Sequence, residues 1–192
     1  MPDHDGVAKR GRALEEEYFR KKDRELIEKI RQAAAAEQVR KDTGRKIGLD
    51  DPVLLKELHD LGFTPETVGL LPLVPIIQMA WAEGGITKAE RELIVRLARS
   101  RGVEAGSAAD RQLTEWMTNP PDAGVYGRAR RLIRAMLDAG STDTGDLNAD
   151  DLVKYCEDIA SASGGILGIG RISAEERALI SSIAADLNAR RS

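Results

Sequence analysis

Along most of the chain, hydrophobic and polar positions recur at the period of an α-helix, and the strict alternation of a half-buried strand is scarce. From about Val7 to Arg40 only Gly11 interrupts a helical run. Within it Phe19, Leu26, Ile30, Ala33 and Ala34 fall on one narrow apolar stripe. Glu16 and Arg20, Glu17 and Lys21, and Glu25 and Lys29 stand four residues apart with the acid first, the order that supports a helix. So thin a stripe buries little by itself, and such an arm needs a partner surface or orders only on meeting one. Asp42 to Gly48 is rich in turn formers and predicts a hinge. The chain then divides into a charged helical arm over 1–46 and a helical domain over 50–192.

In the domain, Asp50 or Asp51 is placed to cap a helix with Pro52 in its first turn, Leu54, Leu55 and Leu58 along it, and a stop at Gly62. Thr64-Pro65-Glu66 predicts a short helical turn. Pro72 and Pro75 fit the first turns of a buried helix that ends at Ala82, before Gly84-Gly85. Thr87-Lys88-Ala89-Glu90 is a capping box, opening a helix that turns Leu93, Ile94, Leu97 and Ala98 inward and stops at Gly102. The spacing predicts further helices over about 107–118, 123–138, 148–163 and 173–189, with a polar loop from Gly140 to Asp146. The expected fold class is all-α: a long arm followed by a compact bundle.

That bundle carries a diverged internal repeat. Ala80-Trp81-Ala82-Glu83-Gly84-Gly85 leads into Ile86-Thr87-Lys88-Ala89-Glu90-Arg91-Glu92-Leu93-Ile94. Ala160-Ser161-Ala162-Ser163-Gly164-Gly165 leads, after a six-residue insertion, into Ile172-Ser173-Ala174-Glu175-Glu176-Arg177-Ala178-Leu179-Ile180. Small residues, Gly-Gly, a hydrophobe and Ser/Thr-x-x-Glu-Arg, used twice, resemble the TerB-like fold of tellurite-resistance proteins over roughly residues 50–190. The resemblance implies an acidic residue before the first glycine, linked in that family to metal binding. Glu83 holds that position in the first copy and Ser163 in the second, so the implied divalent-cation site has one of its acids.

Composition narrows the function classes. Aromatics make up only 4% of the residues, so the core is aliphatic. The net charge of −3 gives no case for nucleic acid as a partner. The balance is uneven, since residues 1–46 hold 13 Lys/Arg against 10 Asp/Glu, which points to a separate partner for the arm. Cys156 is the only cysteine and no apolar signal core follows Met1, so the expected location is cytoplasmic. The most apolar stretch, Gly69 to Ala82, is too short to span a bilayer. His4 and His59 stand far apart, so a zinc site lacks ligands. No EF-hand loop and no nucleophile motif occurs, so the chain reads as no enzyme. The Gly-rich run from Gly164 to Arg171 lacks the Lys-Ser/Thr ending of a phosphate-binding loop and reads as a flexible insertion. Arg128, Arg131 and Arg134 read as a solvated face, and Cys156 as a small core residue.

The arm carries the sharper signal. A Tyr18-Phe19 pair inside a dense charge run suits a helix laid into a partner's groove, or one packed back on its own domain through Phe19, Leu26 and Ile30. Lys9-Arg10, Ala13, Glu15-Glu16-Glu17 and Tyr18-Phe19-Arg20 resemble the inhibitory segment of the mitochondrial ATP synthase inhibitor family. The resemblance implies that Glu15, Tyr18 and Phe19 make key contacts, with Glu16 and Arg20 beside them and Ile27 and Ile30 in place of downstream leucines. It also implies a catalytic interface of the F-type ATPase as the partner, wedged so that ATP hydrolysis halts. Gly11 departs from that family, which carries an acid there, and its His-rich coiled-coil half is missing. The expectation is a regulatory binding protein whose arm inserts into a partner. The alternative is a TerB-like stress-response protein that binds a divalent cation or a membrane-associated complex.

Overall fold

The structure, a computed structural model, describes residues 4–140, 148–162 and 172–189, with side chains from Glu15 onward. Helix α1 spans His4–Ile47. Two compact units result, Met1–Val39 and Arg40–Ser192, so the last two turns of α1 belong to the second.

The expected hinge over 42–48 is therefore helical as far as Ile47, and the chain turns only at Gly48, whose φ of 63° is the left-handed conformation that ends a helix. Packing overrides the weak helix propensity of Thr43-Gly44. Thr43, Ile47 and Leu49 are buried, and the Leu49 N–H donates to the Gly44 carbonyl at 2.9 Å. Lys46 Nζ donates to the Pro65 carbonyl at 2.6 Å. Gly44 also fits by its small size: a Cβ there would strike the Leu49 carbonyl oxygen and come within 2.6 Å of a Leu55 methyl.

The rest of the second unit comprises α2 (Pro52–Asp60), the 3-10 helix η1 (Val68–Leu73), α3 (Val74–Ala80), α4 (Lys88–Ser100), α5 (Ala108–Thr118), α6 (Ala123–Asp138), α7 (Ala149–Ala162) and α8 (Ala174–Asn188). No strand occurs among the described residues. Asp51 caps α2 by accepting from the Val53 and Leu54 amides. The segment expected as one helix to Ala82 is split. Pro72 lies inside η1 and Pro75 in the first turn of α3, where its missing N–H costs no helical hydrogen bond.

Helix α3 is the centre of the core, packed against η1, α4, α6, α7 and α8. A helix enclosed this way must be apolar around its circumference. Val74, Pro75, Ile76, Ile77, Met79 and Ala80 are all buried, and the remaining residue, Gln78, accepts from Arg130 Nη1 at 2.5 Å. Leu132 and Ile133 from α6, Leu152 and Cys156 from α7, and Ile183 from α8 belong to the same core.

Both expected capping boxes form. The Thr87 amide donates to Glu90 Oε2 at 2.7 Å, and the Ser173 amide to Glu176 Oε2 at 2.7 Å. Each glutamate's own amide returns a bond to the cap hydroxyl, and both glutamates are buried. The two arginines that follow diverge. Arg91 donates to the Met117 carbonyl, tying α4 to α5, whereas Arg177 donates to Ile172, its own loop. The second copy's Ser163 and Gly164-Gly165, like the loop from 141 to 146, lie outside the described residues.

Candidate functional site

Residues 15–39 of α1 form an unbroken helix whose side chains are nearly all exposed. At 3.6 residues per turn, Phe19, Leu26, Ile30 and Ala33 fall within an arc of roughly 60°. That is the width of a seam against one partner helix or groove, narrower than the face a helix normally turns to a core. Tyr18 and Ile27 flank the seam on opposite sides. Exposure is 57% for Tyr18, 61% for Phe19, 58% for Leu26, 48% for Ile27 and 60% for Ile30.

The aromatic pair is organised locally. The Tyr18 and Phe19 rings meet edge-on with centroids 5.9 Å apart, and Lys22 Nζ stands 5.7 Å from the Tyr18 centroid. An exposed cation–π contact of this kind contributes about 0.5–1 kcal/mol. Arg20 pairs with Glu16 at 3.2 Å as the spacing predicted. Lys22 closes on Glu25 at 3.8 Å, three residues apart instead of four. Arg24 Nε donates to the Arg20 carbonyl at 3.2 Å, and Gln32 Nε2 to Glu28 Oε1 at 3.1 Å. Pairs this exposed contribute at most about 1 kcal/mol each. They hold the helix surface in order and leave the apolar seam uncovered. Glu15 is exposed at the N-terminal edge of this surface.

The remaining sequence candidates separate clearly. Glu83 is exposed in the turn between α3 and α4, and no group of three or more His, Cys, Asp or Glu side chains able to hold a metal occurs among the described residues. His59 is exposed in the last turn of α2. Cys156 is wholly buried, and burial pushes its thiol pKa up to about 12, as an inert core residue requires. The Gly-rich run from Gly164 to Arg171 lies outside the described residues. No described helix is long and apolar enough to cross a membrane.

Arg128 and Arg131 do more than face solvent. Both donate to Glu57 Oε1 of α2, at 3.2 and 2.7 Å. Sequence spacing shows that the arginines are near one another on α6. It carries no signal for a carboxylate 71 and 74 residues away.

Compared with known proteins, the chain matches no family model, no curated protein and no solved structure. The two family resemblances therefore rest on the motifs that carry them.

Proposed function

We propose that this chain is a non-enzymatic regulatory protein whose N-terminal helix inserts into a partner, the F-type ATPase being the best match, and inhibits its ATP hydrolysis. One observation carries the reading. Among the described residues, five of the six exposed large hydrophobic side chains, Tyr18, Phe19, Leu26, Ile27 and Ile30, lie on one short stretch of one helix. Exposed apolar side chains scattered singly are ordinary, but a contiguous set on a helix is a binding face.

Tyr18 and Phe19 would act as the rigid anchors, since aromatic side chains bury large areas at low entropic cost. Ile27 and Ile30 would extend the contact toward the C-terminus, and Glu15, Glu16 and Arg20 would form its polar rim. The identity of the partner comes from the resemblance of the segment around Glu15 to Arg20. The second unit would dock or regulate the arm, in keeping with its TerB-like motifs. The divalent-cation alternative has no assembled ligand set behind it among the described residues.

The test is ATP hydrolysis by the F-type ATPase of the source organism, with added peptide 1–40, full-length protein and a Tyr18→Ala, Phe19→Ala double mutant. The peptide and the protein should both inhibit, and the double mutant should not. Undiminished inhibition by a chain lacking residues 1–40 would sink the proposal.

A further inference from the structure

On the surface of the second unit a groove of about 410 Å³ runs along α6, lined by Gly124, Gly127, Arg128, Arg131 and Arg134, with Asp186 of α8 at its side. In a chain of net charge −3 this is a local excess of positive charge. One carboxylate oxygen, Glu57 Oε1, is shared between Arg128 and Arg131. Asp186 is taken by Arg130, at 2.7 Å. Asp60, whose carboxyl is held below its usual range chiefly by a hydrogen bond from Lys56 and in small part by Arg128, is paired with that lysine at 2.6 Å. The Arg134 side chain makes no hydrogen bond or ion pair with any described residue. Four arginines thus meet two carboxylates, and the surplus faces the groove.

The floor of the groove is the second observation. Gly124 and Gly127 lie in the first two turns of α6, and neither has a positive φ. Nothing lies within 4 Å of the Cβ that either would carry. No turn and no packing contact of the chain itself therefore calls for glycine, although glycine inside a helix is destabilising relative to alanine. What the two glycines provide is bare backbone beneath the arginines, where a ligand can approach closely. Asp122, at the N-cap of α6, makes no side-chain capping bond, and its carbonyl accepts from the Val125 amide at 2.8 Å.

We infer that this groove binds a ligand carrying a row of phosphate groups. Guanidinium forks match phosphate oxygens bidentately, and the three arginines line the same groove as the two glycines. From Gly124 to Arg134 the helix rises about 15 Å, too long for a single phosphate and suited to an extended polyanion. The chemistry is shared by inorganic polyphosphate and by the polyphosphate arm of a nucleotide. The site uses no residue of the arm and stands or falls independently of the ATPase reading.

The experiment is calorimetric titration of the full-length protein at low ionic strength with tripolyphosphate, ATP and orthophosphate. Tripolyphosphate should saturate one site and bind at least about tenfold more tightly than orthophosphate, weakening as salt rises. Arg134→Gln should lose about tenfold in affinity with an unchanged melting temperature, since that side chain holds nothing else. Gly127→Ala should melt higher than the parent yet bind more weakly, a pair of opposite changes that a merely structural glycine would not give. ATP binding more tightly than tripolyphosphate would assign the nucleotide, and tripolyphosphate binding as tightly as ATP or more tightly would assign the inorganic chain. Absence of saturable binding, equal affinity for all three anions, or unchanged affinity in both variants would overturn the inference.

Discussion

Cys156 and Phe19 lie at opposite ends of the exposure range, and their chemistry follows from it. Cys156 has no exposed surface, and its thiol is raised from about 9 to about 12, chiefly by burial and secondarily by Glu157. An acid whose folded pKa is raised contributes stability that is intact below its unfolded pKa. That stability is lost as pH climbs toward the folded value. Between about pH 9 and pH 12 the parent should therefore lose stability with a slope approaching about 1.4 kcal/mol per pH unit, a component that Cys156→Ala removes. Urea denaturation across that range measures it, and thiol reagents at neutral pH should label the residue only after unfolding. Phe19 is 61% exposed, and its one ring contact among the described residues is edge-on with neighbouring Tyr18. Phe19→Ala should change unfolding free energy by no more than about 0.5 kcal/mol. It should weaken partner binding by about 2 kcal/mol or more, roughly thirtyfold, if the ring is an anchor. A thermal melt alongside an inhibition titration separates the two effects.

At the scale of elements, the end of α1 and the two capping boxes show local preference meeting packing. Alanine is the better helix former at position 44 by about 1 kcal/mol, and in an isolated peptide it should raise helicity. In the protein, Gly44→Ala meets the Leu49 carbonyl and the Leu55 side chain, so it should destabilise by about 1–3 kcal/mol in equilibrium denaturation. A variant as stable as the parent would show that the turn after α1 yields freely. Thr87→Ala removes the hydroxyl that accepts from the Glu90 amide and donates to its buried carboxylate. The loss should be about 1–2 kcal/mol, toward the upper end of cap substitutions, because a buried carboxylate loses a donor. Ser173→Ala, where Glu176 keeps its bond from the residue 173 amide, should cost about 1 kcal/mol.

At the scale of the whole molecule, the chain forms two compact units, Met1–Val39 and Arg40–Ser192. Every described residue of the buried hydrophobic core lies at or beyond Ile47, so removing residues 1–39 should take none of these residues from it. A chain beginning at Arg40 should melt cooperatively within a few degrees of the full-length protein, as scanning calorimetry would show. It should also have lost all inhibitory activity. A broad or strongly lowered transition would mean that the arm contributes to the fold of the second unit.

How far the sequence reaches follows from the range of each interaction. Caps, breakers and helical periodicity act within three or four residues, and these determined the all-α class and the ends of α2, α4, α5, α6 and α8 almost to the residue. Asp51, Thr87 and Ser173 announced their helices because the bonds they make are local. The arm's apolar seam was equally plain, since a stripe at helical period is visible in the residue order. Three features were decided only by the tertiary structure. The helix runs through Thr43-Gly44 because Ile47 and Leu49 are drawn into a core built from distant segments. Trp81 donates to the Trp116 carbonyl, and Phe63 meets the Trp116 ring edge-on, across gaps that no spacing rule spans. Glu57 collects two arginines from the far side of the sequence and leaves Arg134 without a counterion among the described residues. A charge's partner is set by where the packed backbone brings it, and that position depends on the whole core at once.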